Sequence, residues 1–203
     1  MLQTTTEKKT MGEQTKAIER DVRIGLDTGM PARVKEIKEW LAINRRQWEE
    51  GLAHSFERLF QMGREKEVSY LQVCFLRTSL LTGGYFYRAC FYDSLYYLDL
   101  EPVCIDVDTW FVYQFFQEDV EGCIQKLQGR YKRLCPNNIM KIKELCNFYY
   151  IGLMKMCVEA ILPGLLETKA YKGSKKAENF RILFGEYMGK AEVIYGLFYS
   201  DTR

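Results

Sequence analysis

At 203 residues the chain suits one domain, and its four prolines favour long uninterrupted helices. Hydrophobic residues make up 47% and charged residues 28%, a composition that is ordinary for a globular protein. The net charge of +2 argues against strong nonspecific attraction to nucleic acid or to an anionic membrane surface.

Targeting signals and cysteine usage indicate the compartment. The polar start of the chain has no apolar core of a secretory signal, and no run approaches the roughly 18 uncharged apolar residues that a membrane span needs. The seven cysteines are scattered and contain no C-x-x-C motif, so they are interpreted as reduced thiols, most of them buried. These features predict a cytoplasmic protein with no membrane partner.

The N-terminal part of the chain combines a polar segment with amphipathic helices. Residues 1–17 are predicted to be disordered, and residues 18–203 to form a single all-α domain. A short helix is expected around residues 15–26, followed by a break at the sequence DTGMP, residues 27–31. Apolar residues at intervals of three, four and seven then predict a helix over 31–62.

Two further helices are predicted in the next part of the chain. The first covers residues 64–81 and ends at a double glycine, and the second covers the tyrosine-rich residues 85–98. The sequence VCIDVD, residues 103–108, is the one strand-like alternation in the chain, and it is interpreted as an extended connection.

Three more helices complete the prediction. They cover approximately residues 109–134, 137–163 and 177–198, with the first ending before Pro136 and the second ending at a Pro-Gly pair. The predicted fold class is therefore all-α, a single-domain bundle or irregular array of about six helices.

The tyrosine-rich segment provides the leading site prediction. In a helix, Tyr87, Phe91, Leu95 and Leu98 would share one stripe, which is the natural core face. The remaining aromatic and charged side chains would form a ligand or partner face, because tyrosine and arginine are enriched at interaction hot spots. That predicted face consists of Tyr85, Arg88, Tyr92, Tyr96 and Asp99. Packing of these tyrosines in the interior is the competing explanation.

Charge is unevenly distributed along the second half of the chain. Residues 101–121 carry six acids and no base, whereas residues 126–143 carry six bases and no acid. A possible anion patch consists of Lys126, Arg130, Lys132, Arg133, Lys172, Lys175 and Lys176. Lysines and arginines near a helix C-terminus also complement the helix dipole, which is the simpler explanation.

No catalytic residue, metal site or cofactor is predicted. His54 is the only histidine, and even with Glu50 and Glu57 beside it on a helix it cannot build a ferritin-like site. The chain has no glycine-rich phosphate loop and no nucleophile motif.

The leading hypothesis is a non-enzymatic protein that acts through protein interaction or self-association, as a homodimer. One alternative is a small-molecule-binding or sensory domain with a Tyr/Arg-lined pocket. Another is a nucleic-acid-associated protein that uses the basic segments 126–143 and 169–176.

Overall fold

Helices and a mixed β-sheet both contribute to the fold. The structure, a computed structural model, describes residues 3–131 and 133–196, except for the side chains of residues 3–12 and 14. Helix accounts for 61% of the residues and strand for 20%, so the fold class is α+β. The prediction of an all-α helical bundle or array is wrong, because five segments pair as strands. The prediction of one domain over residues 18–203 stays a prediction.

The chain divides into two compact units. One unit comprises Met1–Ala42 and Val112–Leu153, and the other comprises Ile43–Phe111 and Met154–Arg203. Their boundaries fall within three helices: α1 (Gln3–Ile43), α4 (Trp110–Tyr113) and α6 (Pro136–Glu167).

The first unit is helical in its described part. It contains most of α1, the helix α5 (Phe116–Gln128) and the first half of α6. Helix α1 includes part of the segment predicted to be disordered and continues through Pro31, so the expected break at residues 27–31 is wrong. Buried apolar residues on both sides of the proline explain this continuity, since burial offsets the lost hydrogen bond. They are Ile18, Val22, Leu26, Met30, Ile37 and Leu41.

Helix α6 has the length and apolar composition of a membrane span, the one such helix among the described residues. Half of its most apolar window is buried within the protein, and the core helix of a soluble protein has the same character. One helix of this kind is weak evidence for a membrane span.

The second unit is built on a five-stranded sheet with the order β3-β2-β1-β4-β5. Strands β1 and β4 are parallel, and the other three pairs are antiparallel. The strands are β1 (Val68–Phe75), β2 (Tyr87–Tyr92), β3 (Val103–Val107), β4 (Lys176–Glu186) and β5 (Ala191–Gly196). The helices are α2 (Arg45–Met62), α3 (Arg77–Thr82) and α7 (Lys169–Gly173), together with the second half of α6.

One face of the sheet carries the apolar core of this unit. Helix α2 packs on β2 and β3, and the Phe60 ring lies 4.9 Å from the Phe91 ring and 5.3 Å from the Tyr171 ring. Neighbouring strands align their buried side chains in register on this face. The layer consists of Leu71, Val73, Phe75, Tyr87, Ala89, Phe91, Ile182 and Phe184.

The predicted helix over residues 85–98 is wrong. Tyr87 and Phe91 are fully buried, which confirms their predicted place in the core, but they belong to strand β2. A spacing of four residues puts two side chains on the same face of a strand as well as of a helix. The spacing alone therefore does not separate the two structures.

Two other predicted helices are also strands. Residues 64–81 contain β1, whose side chains are nearly all buried, so the alternation typical of a strand is absent from the sequence. Residues 177–198 contain most of β4 and all of β5, the described end of the chain. In contrast, the strand-like residues 103–108 do contain a strand, β3, and it pairs with β2.

The interpretation of all seven cysteines as reduced thiols is wrong for two of them. Cys90 and Cys104 lie directly opposite each other on β2 and β3, with their Cα atoms 4.2 Å apart, and form a disulfide. Their pairing depends on the register of two strands that were predicted as a helix and a connection.

Candidate functional site

A short loop between β2 and β3 exposes three leucines. We call residues 93–100 the leucine loop. Leu95, Leu98 and Leu100 are 59%, 74% and 94% exposed, respectively. The prediction that Leu95 and Leu98 belong to the core is therefore wrong, because the chain leaves the sheet after Tyr92 and turns. Three leucines exposed within six residues make this loop the candidate surface for an apolar contact.

The carboxylate of Asp99 ties the two ends of the leucine loop together. It accepts hydrogen bonds from the backbone N–H groups of Asp93, at 2.9 Å, and Glu101, at 3.0 Å. It also pairs with the Lys66 ammonium at 2.6 Å, and its side chain is only 3% exposed. Lys66 in turn donates to the Glu101 carbonyl at 2.7 Å. These contacts fix where the loop leaves and rejoins the sheet.

The pKa of Asp99 reflects this arrangement. Burial works to raise it, but the hydrogen bonds from Lys66 and from the two backbone amides outweigh burial and hold the pKa below its ordinary value. The carboxyl is therefore ionised at neutral pH and acts as a structural anchor.

Backbone hydrogen bonds stiffen the middle of the loop. The Asp93 side chain accepts from the Leu95 N–H at 2.8 Å, which is an Asx turn. The N–H groups of Tyr96, Leu98 and Asp99 each bond to a carbonyl three residues earlier. Tyr96 has a φ of 56°, in the left-handed region, where a bulky residue is held only by its surroundings.

Five tyrosine rings, two of them from the loop itself, pack against one another beside the loop. This tyrosine cluster consists of Tyr70, Tyr92, Tyr96, Tyr97 and Tyr187. The Tyr96 ring lies 4.9 Å from the Tyr70 ring and 4.1 Å from the Tyr97 ring, measured between centroids. The Tyr97 hydroxyl accepts a hydrogen bond from the Met188 N–H at 2.9 Å, so the β4–β5 turn lies beside the loop.

Two tyrosines of the cluster, Tyr92 and Tyr96, are suited to packing rather than to acid–base work. Burial, as the largest cause, raises the pKa of Tyr92 and of Tyr96 well above the ordinary value. Their hydroxyls are therefore protonated at physiological pH.

The structure brings together three of the five residues of the predicted ligand or partner face. Tyr92, Tyr96 and Asp99 all hold the leucine loop. Arg88 instead pairs with Asp106 of β3 at 2.8 Å, and the Tyr85 carbonyl, before β2, accepts a hydrogen bond from the Thr109 hydroxyl.

Sequence reasoning missed the residues that the loop exposes or uses as supports. They are Leu95, Leu98, Leu100, Lys66, Tyr70 and Tyr97. Two residue pairs typical of turns, Asp93-Ser94 and Glu101-Pro102, flank the exposed leucines. These pairs are the feature of the sequence that could have predicted a loop here.

The predicted anion patch is divided between the two units. Lys126, Arg130 and Arg133 belong to the first unit, and the lysines at 172, 175 and 176 belong to the second. Lys132 lies outside the described residues.

Much of this positive charge is already engaged within the chain. Arg130 pairs with Asp21 at 2.6 Å, Lys172 with Glu167, and Lys175 with Glu65 at 2.9 Å. The Lys176 ammonium donates to two backbone carbonyls and lies over the Tyr171 ring.

The first unit contains a groove between α1 and α5, which we call the α1–α5 groove. Its volume is about 540 Å³. Arg33 lies in it and is held by Asp119 at 2.8 Å, Glu118 at 3.1 Å and Glu36 at 2.6 Å, with the Phe115 ring 4.6 Å away. Because three carboxylates surround this guanidinium, it is not available to bind an anionic ligand.

Within the described residues, no group of three or more His, Cys, Asp or Glu side chains is arranged to hold a metal ion. Comparison with known proteins finds no matching family model, no similar curated protein and no similar solved structure.

Proposed function

We propose that the protein acts by binding a second copy of itself through the leucine loop, as a non-enzymatic interaction protein. The observation that carries this proposal is the exposure of Leu95, Leu98 and Leu100 on a loop whose two ends are fixed by one buried carboxylate. A two-fold dimer would place the same loop of each copy in one contact.

The apolar contribution of the leucines is of the same magnitude as the cost of association. Full burial of one exposed leucine contributes about 1.5 to 3 kcal/mol, so the exposed leucine surface of two loops contributes roughly 7 to 14 kcal/mol. Association costs about 4 to 15 kcal/mol in lost translational and rotational freedom. The two ranges overlap, so the leucines offset most of the cost of association, and a micromolar dimer, which needs a net of about 8 kcal/mol, requires further contacts around the loop.

The rigidity of the loop supports the proposal. A flexible loop would lose conformational entropy on binding, at about 0.5 to 1.5 kcal/mol for each immobilised side chain and more for the backbone. The Asp99 anchor and the tyrosine cluster hold the backbone of the loop in one conformation before association. Less of the favourable binding free energy is then offset by the loss of conformational entropy in the loop.

Two neighbouring residues extend the apolar surface. Tyr187 and Met188 lie in the β4–β5 turn, are 44% and 65% exposed, and contact Tyr97 of the cluster. The small net charge of +2 imposes little repulsion between two copies.

Sedimentation velocity across a micromolar concentration range tests the proposal. The triple variant Leu95→Ser/Leu98→Ser/Leu100→Ser is expected to sediment as a monomer where the unaltered protein is dimeric. A matched control replaces three apolar residues elsewhere that are each at least 60% exposed, Ile24→Ser/Leu81→Ser/Phe148→Ser, and is expected to keep the dimer. A monomeric unaltered protein, or a loop variant that dimerises normally, would refute the proposal.

We further propose that the protein works in the cytoplasm. Five of the seven cysteines carry no disulfide, and three of those five are buried. The Cys90–Cys104 bond weighs against this location, because disulfides are rare in cytosolic proteins. Fractionation of cells that express the chain, with thiol alkylation before lysis, reports both the location and the state of this bond.

A further inference from the structure

Two thiols face each other on neighbouring helices of the first unit. Cys123 of α5 and Cys146 of α6 have their sulfur atoms 4.0 Å apart. A disulfide has a sulfur–sulfur distance of about 2.05 Å, so bond formation requires a shift of roughly 2 Å. Rotation of one side chain about its χ1 torsion moves a sulfur atom by a distance of this order.

The two thiols differ in their access to solvent. Cys123 is half-buried and lines the α1–α5 groove, whereas Cys146 is fully buried behind it. A reagent that enters the groove therefore contacts Cys123, whereas Cys146 has no surface exposed to it.

The hydrogen bond between the thiols polarises the pair. Cys146 donates its S–H to the Cys123 sulfur, and this bond, helped by Lys126 one turn away, lowers the pKa of Cys123. The same bond and burial raise the pKa of Cys146. Cys123 is therefore the member of the pair that ionises first.

The other thiols of the chain lack this arrangement. Burial raises the pKa of Cys74 to about 11 and that of Cys157 to about 12, which makes both poor nucleophiles. Cys135 is half-buried, and its sulfur donates a hydrogen bond to the Asn138 side chain at 2.9 Å. Cys135 is therefore the matched control for Cys123, because it is also half-buried but has no thiol hydrogen-bonded to it.

The groove has room for a small reagent beside Cys123. Gly25, Gly29 and Gly122 line it, and a Cβ atom added to any of them would meet no atom within 4 Å. The charged lining consists of Glu36, Glu118, Asp119 and Glu121 against Arg33 and Lys126. This excess of carboxylates favours a cationic reagent over an anionic one.

We propose that Cys123 and Cys146 form a redox-active dithiol that is oxidised by a small cationic disulfide entering the α1–α5 groove. Cys123 is the attacking residue and Cys146 the resolving residue. The proposal concerns the first unit alone and does not depend on the leucine loop.

The reaction proceeds in two exchanges. The Cys123 thiolate attacks one sulfur of the reagent disulfide, whose sulfur–sulfur bond breaks as a new bond to Cys123 forms. The leaving thiolate takes up a proton from solvent. The Cys146 sulfur then attacks the Cys123 sulfur, the bond between Cys123 and the reagent sulfur breaks, and the departing reagent sulfur takes up the Cys146 proton. The two cysteines are oxidised to one disulfide, and the reagent is reduced to two thiols.

Treatment of the full chain with cystamine, a disulfide with two ammonium groups, tests the proposal by intact mass and peptide mapping. The unaltered protein and Cys135→Ser are expected to lose two hydrogens, with the new bond mapped to Cys123 and Cys146 and reversed by excess thiol. Cys146→Ser is expected to stop at one cysteamine adduct on Cys123. Cys123→Ser is expected to form neither product at this pair.

Several outcomes would overturn the proposal. They are a two-hydrogen loss mapped to Cys90 and Cys104 alone, adducts at Cys135 without reaction at Cys123, or an unreactive Cys146→Ser variant whose circular dichroism shows a folded chain. A faster reaction with glutathione disulfide, which is anionic, than with cystamine would overturn the preference for a cationic reagent.

Discussion

Replacement of Asp99 is the most informative perturbation of the leucine loop. In Asp99→Ala the two backbone amides of residues 93 and 101 lose their acceptor, and Lys66 loses the partner that now lies at 2.6 Å. Hydrogen bonds to a charged group contribute about 1.5 to 3 kcal/mol each, but water reaches the opened loop and replaces part of them. We therefore expect the free energy of unfolding to fall by about 2 to 4 kcal/mol.

The substitution Asp99→Asn keeps the shape of the side chain but removes its charge. The amide oxygen still accepts one backbone hydrogen bond, whereas the amide nitrogen cannot accept the second and repels the Lys66 ammonium. A loss of about 1 to 2 kcal/mol is expected, smaller than for alanine. The matched control is Asp106→Ala, which removes the exposed pair with Arg88 and is expected to cost less than about 1 kcal/mol.

Urea denaturation followed by circular dichroism measures these differences. The pH dependence gives a second readout: the folded-state pKa of Asp99 is lowered, so its stabilisation is fully present above its ordinary pKa and is lost as pH falls through the folded value. The gap between the unaltered protein and Asp99→Asn should be constant from about pH 5 to 7 and shrink below about pH 4. An Asp99→Ala variant no less stable than Asp106→Ala would refute this reasoning.

Four other changes have directions set by the structure, each measured by urea denaturation. Gly51→Ala in α2 meets open space and should stabilise by about 0.5 to 1 kcal/mol through helix propensity. Gly185→Ala would make a Cβ collide with the Lys190 carbonyl oxygen and should destabilise by about 1 to 3 kcal/mol; a neutral result would contradict this close approach. Tyr150→Phe removes the hydrogen bond to its carboxylate partner on α5 and should cost about 1.5 kcal/mol. Reduction of the β2–β3 disulfide, which closes a separation of 14 residues, should cost roughly 3 kcal/mol.

Helices with one solvated face were predictable from the sequence. In α2 the buried residues Trp48, Leu52, Phe56 and Leu59 recur every three or four positions, and charged residues fill the other face. The same applies to α6, whose ends lie within four residues of the prediction, whereas the predicted helix over 109–134 is divided into α4 and the shorter α5. Periodicity is informative there because one face of each helix contacts water.

The central strands were not predictable in the same way. Strand β1 is buried on both faces, so its sequence VSYLQVCF shows no alternation between apolar and polar residues. Tyr87 and Phe91 of β2 match a helical spacing and a strand spacing equally. Only pairing with neighbouring strands decides between the two, and that pairing joins residues far apart in sequence.

The candidate site was partly predictable. Tyr92, Tyr96 and Asp99 were selected for their residue types, and they do lie together. Their role is different from the predicted one, because they support a surface made by leucines that had been assigned to the core. Leu95 and Leu98 are exposed because the chain turns after Tyr92. Helical periodicity could not predict this turn, because it treats residues 85–98 as one continuous helix.

Amide hydrogen exchange as a function of protein concentration tests the central claim most directly. If two copies meet through the leucine loop, the amides of residues 93–100 should exchange more slowly at a concentration where the dimer forms than at one where it is dissociated. The amides of β4, which is paired with a strand on each side, should exchange at the same rate in both. Exchange in the loop that does not change with concentration, while sedimentation shows a dimer, would contradict the account.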